Sequence, residues 1–571
     1  MSSNSTSKHP KGLYVLFFTE MWERFGYYLM LGIFSLYMLD HAANGGMGFD
    51  PAKKSDIYGT YLGLVYLTPF IGGLLADRIL GYRRSIVIGG LLMAAGYLGL
   101  AIPGEGTFYI SLLLIILGNG FFKPNISALV GNLYNNDRFR ANKDAGFNIF
   151  YMGINIGAFI CNFVAAYMRN NLGWGWAFGA AGVGMLIGIV IFLSGTKHIK
   201  EADVIKPTTK EDVPLSKIFG LVLLPVFIFG VLGWLIPGNI FGTDANDAFL
   251  IGCIPVVAYY ASLYFRAAAE DKKPIGALLS IFVCVIVFWA VFHQNGDALT
   301  VYAENYTDRE MPASVAKIAE PVGMVQDVNL HPSVHYTEGE FKTYMDSLEG
   351  EKNRLDGLGK LDEAKVVGKE IGLRESSRAY FANLPVEQRP AEGGTMLLYS
   401  TELYQSINPF WVVLLTPVVV GFFGWMASRG KKISTPTKIA IGLFVTGLST
   451  LVMVGAVTSV QMDDAKASSW WLIASYGVIT VGELCLSPMG LSLVSKLSPP
   501  RLTALLMGGW FLSTAVGNKL SGIISGLWEG FGNNEKHYFF LINFAACVAA
   551  TIALVLLLKW LNAVMREKNI D

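Results

Sequence analysis

Long apolar runs, separated by short charged segments, dominate the chain. The runs are roughly 18–25 residues long, enough to carry a helix across a bilayer. Spans are predicted near Leu13–Leu39, Ile57–Leu75, Ser85–Ile102, Phe108–Val130, Gly146–Met168 and Trp174–Leu193. A further pair follows near Ile218–Ile236 and Ala248–Tyr264. The remaining runs are Ile275–Tyr302, Pro409–Met426, Lys438–Thr458, Trp471–Val494, Leu505–Leu527 and Tyr538–Trp560. This pattern predicts an all-α polytopic membrane protein of about fourteen transmembrane helices. One polar stretch, from Glu304 to about Thr395, interrupts it. Within that stretch Phe341, Tyr344, Leu348, Leu355, Leu358 and Leu361 recur near helical spacing, so one or two amphipathic helices are predicted over 338–380.

Composition sharpens the class. Apolar residues make up 53% of the 571 residues and charged residues only 15%, with mean hydropathy +0.45. A soluble domain carries about 25% charged residues. The net charge of +1 argues neither for nor against nucleic acid, which is not among the expected partners. The five cysteines are scattered through apolar runs without metal-ligand spacing and read as buried small hydrophobes.

Lysine and arginine alternate between the two sets of loops. One set holds Arg78, Arg83 and Arg84, then Arg138, Arg140 and Lys143, then Lys197, Lys200, Lys206 and Lys210. Lys272, Lys273, Lys431, Lys432, Lys496 and Arg501 continue it. The opposite short loops are nearly free of such residues, apart from Lys53, Lys54, Arg169, Lys466 and Lys536. Both termini are therefore expected in the cytoplasm of a multi-pass protein of the plasma (inner) membrane, with the polar insert outside.

The candidate chemistry lies inside the spans. Glu20, Glu23, Arg24, Tyr27 and Tyr28 follow an i, i+3, i+4, i+7, i+8 spacing and share one helix face. Each charge near the centre of a membrane helix costs roughly 2.5–3.5 kcal/mol. Such a face should turn to a wet cavity and find partners. Lys123, inside the fourth span, would make the cluster electrically neutral. A neutral cluster can take a proton on a glutamate and release a cation to bind something else, which is the physical core of proton coupling. Glu483 is a carboxylate deep in another apolar span, suited to a cationic amine or a proton. His293 titrates near physiological pH in its ordinary state. Asn155, Gln405 and Asn408 add neutral donors and acceptors, and Tyr66, Trp289 and Trp510 are candidate pocket walls. Lys519 is a further intramembrane charge for which the sequence suggests neither partner nor role. The halves echo one another: Gly118 lies six residues before Pro124, and Gly482 six before Pro488. Matching Gly/Pro interruptions point to a transporter with its site between two halves.

These residues resemble the proton-dependent oligopeptide transporters of the major facilitator superfamily. Glu20 to Tyr28 is similar to the family's ExxERFxYY motif. Gly72 to Arg84, with Asp77 and Arg78, resembles the superfamily's cytoplasmic gating loop. Phe147 to Ala158 is like the fifth-helix signature, and Phe122 to Asn125, Gln405 to Pro409 and Glu483 to Pro488 agree as well. The extra pair of spans is typical of prokaryotic members. The resemblance implies the major facilitator fold, with a six-helix bundle over 1–196, a linker carrying two additional helices over 197–274, and a second six-helix bundle over 275–571. The insert, at about 304–396, belongs to the last.

It also implies roles. Glu20, Glu23, Arg24 and Lys123, joined by His293, would couple protons, with Arg24 and Lys123 near the carboxylate end of a peptide. Glu483, Asn155 and Asn408 would receive the amino terminus. Tyr27, Tyr28, Tyr66, Trp289 and Trp510 would line side-chain pockets. Two positions depart from the family pattern: Leu31 stands where relatives carry arginine, and His293 where they carry an acid. These two are thought to pair across the outer gate, so both partners of that pair are missing together.

The expected function is import of di- and tripeptides with protons by alternating access, driven by the proton gradient, with no cofactor and no metal. Short peptides, protons and the bilayer are the expected partners. Two alternatives remain open at this point. The same fold could carry nitrate, an amino acid or a peptide-like compound, although Glu483 would repel an anion. A non-transporting nutrient sensor could use the insert as its ligand surface. No metal motif or nucleophile triad appears in the membrane core, so an enzyme is not expected.

Overall fold

The computed structural model describes residues 9–134, 139, 142–203, 219–431, 433–499 and 502–568. The loop cations Arg138, Arg140, Lys206, Lys210, Lys432 and Arg501 lie outside the described residues. The first six long helices are α1 (Lys11–Leu39), α2 (Pro51–Leu75), α3 (Tyr82–Leu100), α4 (Glu105–Leu133), α5 (Lys143–Leu172) and α6 (Trp174–Ser194). Two more follow, α7 (Leu224–Trp234) and α8 (Asp244–Arg266). The later part contains α9 (Ala269–Phe292), α10 (Ala298–Tyr306), α11 (Ala313–Ala319), α12 (Glu338–Gly357) and α13 (Leu361–Phe381). It closes with α14 (Ile407–Ser428), α15 (Thr435–Thr458), α16 (Ser469–Leu497), α17 (Thr503–Gly526) and α18 (His537–Glu567).

Nine helical segments among the described residues meet a strict test of length and hydropathy for crossing a bilayer. α1, α2, α3 and α17 match them in length. The predicted span at 218–236 is a shorter apolar helix, Phe219–Trp234. Helix starts follow local chemistry. The Asp50 carboxylate accepts from the Lys53 amide at 2.9 Å, with Pro51 at the first helical position of α2. Thr243 caps α8 in the same way, through the Asn246 amide.

The helices form two bodies, each with its own apolar core. One core runs from Leu13 to Ala202, with α1 against α5 and α6, and α4 against α2 and α3. The other runs from Phe249 to Met565, with α9 against α17 and α18, and α16 against α14 and α15. α7 and α8 pack on each other, and α8 touches α2, α9 and α17. The bodies meet closely where α2 crosses α17. A Cβ on Gly59 would lie 2.9 Å from the Gly522 Cα, so only glycine permits that approach.

The insert leaves the second body after α10 and returns at α14. Its strands β2 (Val325–Asn329) and β3 (Thr395–Tyr399) form an antiparallel pair, with Val325 opposite Tyr399. Short strands β1 (Thr307–Asp308) and β4 (Ala467–Ser468) tie its base to the loop before α16. The two amphipathic helices are present as α12 and α13, and a full capping box between Thr337 and Glu340 starts the first. Leu358 and Leu361, expected on the buried stripe, are instead 61% exposed each. The helix breaks between them at Gly359, whose φ is +72°, so the 3.6-residue period does not carry across. Tyr380, Phe381 and Leu398 fill the insert's interior instead.

Candidate functional site

α1 places the charged triad on the face that the periodicity predicts. Glu20, Glu23 and Arg24 are 3, 0 and 3% exposed. The Arg24 guanidinium donates through Nη2 to Glu23 Oε1 at 2.8 Å and through Nε to the other oxygen of the same carboxylate. Its Nε also lies 3.1 Å from Glu20 Oε1. This fork-to-fork geometry is the strongest form of such a pair. Tyr27 sits under the guanidinium, 5.0 Å from the ring centroid. The triad carries one net negative charge, which makes Lys123 on α4 the natural counterion.

Among the described residues, Lys123 closes no ion pair. Its Nζ lies 3.8 Å from the centroid of Tyr66 on α2, a cation–π contact, while both glutamates are within electrostatic range. The expected neutral quartet is thus a closed triad beside a cation stacked on an aromatic ring. Tyr66 also faces His293 of the second body, with ring centroids 6.0 Å apart. His293 stacks near Trp289 at 5.4 Å, and its Nδ1 lies 3.2 Å from the Trp289 carbonyl oxygen. A carbonyl only accepts, so Nδ1 carries a proton and Nε2 is the free acceptor of the neutral ring. Lys123, Tyr66, His293 and Trp289 therefore form one chain of contacts from α4 to α9.

A second pole lies on the other body. Glu483 on α16 accepts from Asn408 Nδ2 at 3.1 Å, and the same amide donates to Thr480 at 2.9 Å. Tyr28 of α1 and Tyr151 of α5 lie within electrostatic range of Glu483. Asn155, expected with Glu483 at the amino-terminal site, donates through its amide to the Tyr151 carbonyl at 3.0 Å. Trp510 is 3% exposed and packs in the second core, 6.3 Å from Phe282 and against Gly490. The side chains of Asp77 and Arg78 lie outside the described residues. Their backbone forms a π turn, Ala76–Leu80, that ends at Gly81.

The sequence reading assigned no role to the charged residues that join the two bodies. Lys54 of α2 and Asp297, between α9 and α10, make an ion pair across the two bodies, at 3 and 0% exposure. Ser35 reinforces it by donating to the Gly296 carbonyl at 2.8 Å. Asp56 accepts from Lys519 at 2.6 Å, which supplies the partner that Lys519 lacked. The signal was available: Asp297 lies within the predicted span Ile275–Tyr302, and an acid there demands a partner. Arg169–Glu402 at 3.1 Å and His41–Glu349 at 2.7 Å complete the set. Among the described residues, every ion pair joining the bodies lies at the end that bears the insert. That end is closed.

Comparison with known proteins places this arrangement in a larger group. The model of the POT family matches residues 83–319 and 394–541. The chain is 30% identical over 554 residues to the "Uncharacterized transporter YclF" of Bacillus subtilis (strain 168), covering 96% of this chain and 94% of that protein. It is 28% identical to the "Di-/tripeptide transporter" of Lactococcus lactis subsp. lactis (strain IL1403), covering 97% of each. Among solved structures, a mutant of the peptide transporter POT in complex with alafosfalin superposes with a TM-score of 0.73 at 28% identity, covering 97% of this chain and 96% of that one.

Proposed function

Because the chain belongs to the POT family, we propose that it is a proton-coupled symporter that imports di- and tripeptides by alternating access. It works in the plasma (inner) membrane with both termini in the cytoplasm and the insert outside, as the loop charges argue. The single observation that carries this reading is the buried Glu20–Glu23–Arg24 triad, set opposite the Glu483–Asn408 pair of the other body. A zwitterionic peptide has a carboxylate for the Arg24–Lys123 pole and an ammonium for the Glu483 pole. Tyr27, Tyr28, Tyr66 and Trp289 are assigned to the walls for its side chains.

Coupling follows from competition for Arg24. While both glutamates are ionised they hold the guanidinium. A proton on either one weakens that hold and frees Arg24 and Lys123 for the peptide carboxylate. When the peptide leaves inward, the glutamates recapture Arg24 and the proton is released. His293 stands on the contact chain from Lys123 and passes its state to the second body.

The outer gate is Lys54–Asp297 with Asp56–Lys519. They take over the task for which Leu31 and His293 lack the charge. Opening of these pairs lets the bodies rock about the central site.

The test uses proteoliposomes with an acidic exterior and labelled dialanine. Accumulation above the outside concentration, lost when the gradient is collapsed, is the expected result; none, or accumulation indifferent to the gradient, rejects the proposal. Glu483→Gln removes a charge-assisted contact to the ammonium and raises the peptide KM by about tenfold. An unchanged KM there removes Glu483 from the amino-terminal site.

A further inference from the structure

Behind the triad, inside the first body, lies a set of polar groups that the transport cycle leaves unused. Tyr61 on α2, Tyr97 on α3 and Asn119 on α4 are 1, 0 and 0% exposed. Among the described residues, neither hydroxyl has a hydrogen-bond partner, and both Oδ1 and Nδ2 of Asn119 lack one. The Tyr27 hydroxyl and Glu20 Oε2 are in the same condition. A buried group left without a partner costs on the order of 1–3 kcal/mol, and native proteins keep few of them.

These groups are not scattered. Tyr61 and Tyr97 both lie within electrostatic range of Glu23 and Arg24, and Tyr97 within range of Tyr61. The Tyr97 ring occupies the space beside Gly26 on α1, with Cε2 only 3.2 Å from where a Cβ would stand. Gly26 lies three residues, about one helical turn, beyond Glu23, so its missing side chain is what lets the phenol approach the triad. Asn119 precedes Lys123 by four residues and shares its face of α4. Phenols and an amide both donate and accept, and a buried water typically makes about three hydrogen bonds.

We propose that Tyr61, Tyr97 and Asn119 form a water-binding site that solvates the back of Glu23 and Arg24. Water held there satisfies the three side chains and lowers the cost of burying the triad away from the central cavity. It also gives the Glu23 carboxylate a fixed second set of hydrogen bonds, on the side that the peptide never reaches. Tyr61, Tyr97 and Asn119 are thus positioning residues for the coupling carboxylate. That role rests on the symport reading of Glu23; the water site itself does not.

Radiolytic hydroxyl-radical labelling of the full chain in proteoliposomes, read by mass spectrometry, detects water held beside a side chain that bulk solvent does not reach. Tyr61 and Tyr97 are expected to label, while Phe122 and Phe178, equally buried among apolar groups, are not. Asn119→Leu should abolish the Tyr97 label, and Asn119→Ser should keep it. Asn119→Leu should also move the pH of half-maximal dialanine uptake upward by about one unit, since an ionised Glu23 loses hydrogen bonds. Tyr97→Phe, which loses one hydroxyl, should give the same pH shift and serves if Asn119→Leu does not fold. Unlabelled Tyr61 and Tyr97 in the parent would overturn the site. Labelled tyrosines with an unmoved pH profile in both variants would overturn the positioning role. A parent that labels but carries no peptide would overturn the symport reading and leave the water site standing.

Discussion

Arg24 is held by two carboxylates on its own helix, so each of the three residues depends on the others. Glu23→Gln removes the bidentate partner and leaves Glu20 alone at 3.1 Å. Gradient-driven uptake should vanish, while counterflow exchange of dialanine, which needs no net proton movement, should persist. Loss of folding in Glu20→Gln and Glu23→Gln alike would mark the triad as structural. His293 makes a different prediction. Its ring is fixed by the Trp289 carbonyl and faces Tyr66, which carries Lys123. His293→Gln should therefore alter the pH dependence of uptake, and a profile identical to the parent's would remove His293 from coupling. The triad was legible in the sequence because three charges at i, i+3 and i+4 in an apolar run have one physical solution. Tyr97 and Asn119 were not legible. A buried tyrosine in a membrane helix ordinarily signifies packing, and only three dimensions show that its hydroxyl lacks a partner.

At the scale of elements, α2 does the most work. Its outer turns carry Lys54 and Asp56 to the second body, and its middle carries Tyr66 to Lys123. Breaking a buried ion pair by removing one partner costs about 3–5 kcal/mol. Asp297→Asn should therefore weaken the closed outer gate and expose Ser35, now 1% exposed. A cysteine at position 35 should react with a membrane-impermeant maleimide much faster in the Asp297→Asn background than without it. Equal rates would show that the pair does not hold the gate. The sequence reading found α2 as a span but not its task, because Lys54 and Asp297 are 243 residues apart. Spacing along one helix is readable; pairing between helices is not. The insert shows the same limit. Its helices were readable from periodicity, whereas the break at Gly359 and the β2–β3 pairing, which joins segments far apart in sequence, were not.

The whole molecule adds a strap across the closed gate. The insert belongs to the second body, yet it bonds to the first. Asn170 of α5 donates to the carbonyls of Gly323 and Val325 and to Ser400, and His41 reaches Glu349 at 2.7 Å. Rocking the bodies apart on the outside must break these contacts or carry the insert along. Glu375 lies in this seam. Burial, then the neighbouring Asp40 and Glu349 carboxylates, pushes its carboxyl up to about 7, against a small opposing bond from the His41 backbone. Undocking returns Glu375 to an ordinary carboxyl, so the docked insert binds the proton more tightly. Docking is then favoured fully below the ordinary carboxylate range and is lost as pH rises through about 7. Spin labels at Glu105 and Lys360 should show a longer distance growing in as pH rises through that value, and Glu375→Gln should remove the effect. A distance that ignores pH would free the seam of this role. Symport requires that protons and peptide cross together. The most direct measurement loads proteoliposomes with a pH-sensitive dye at equal pH inside and out, with membrane potential clamped, and then adds dialanine outside. Symport predicts acidification of the interior that scales with dialanine and is absent in Glu23→Gln. Dialanine entry without acidification would contradict it.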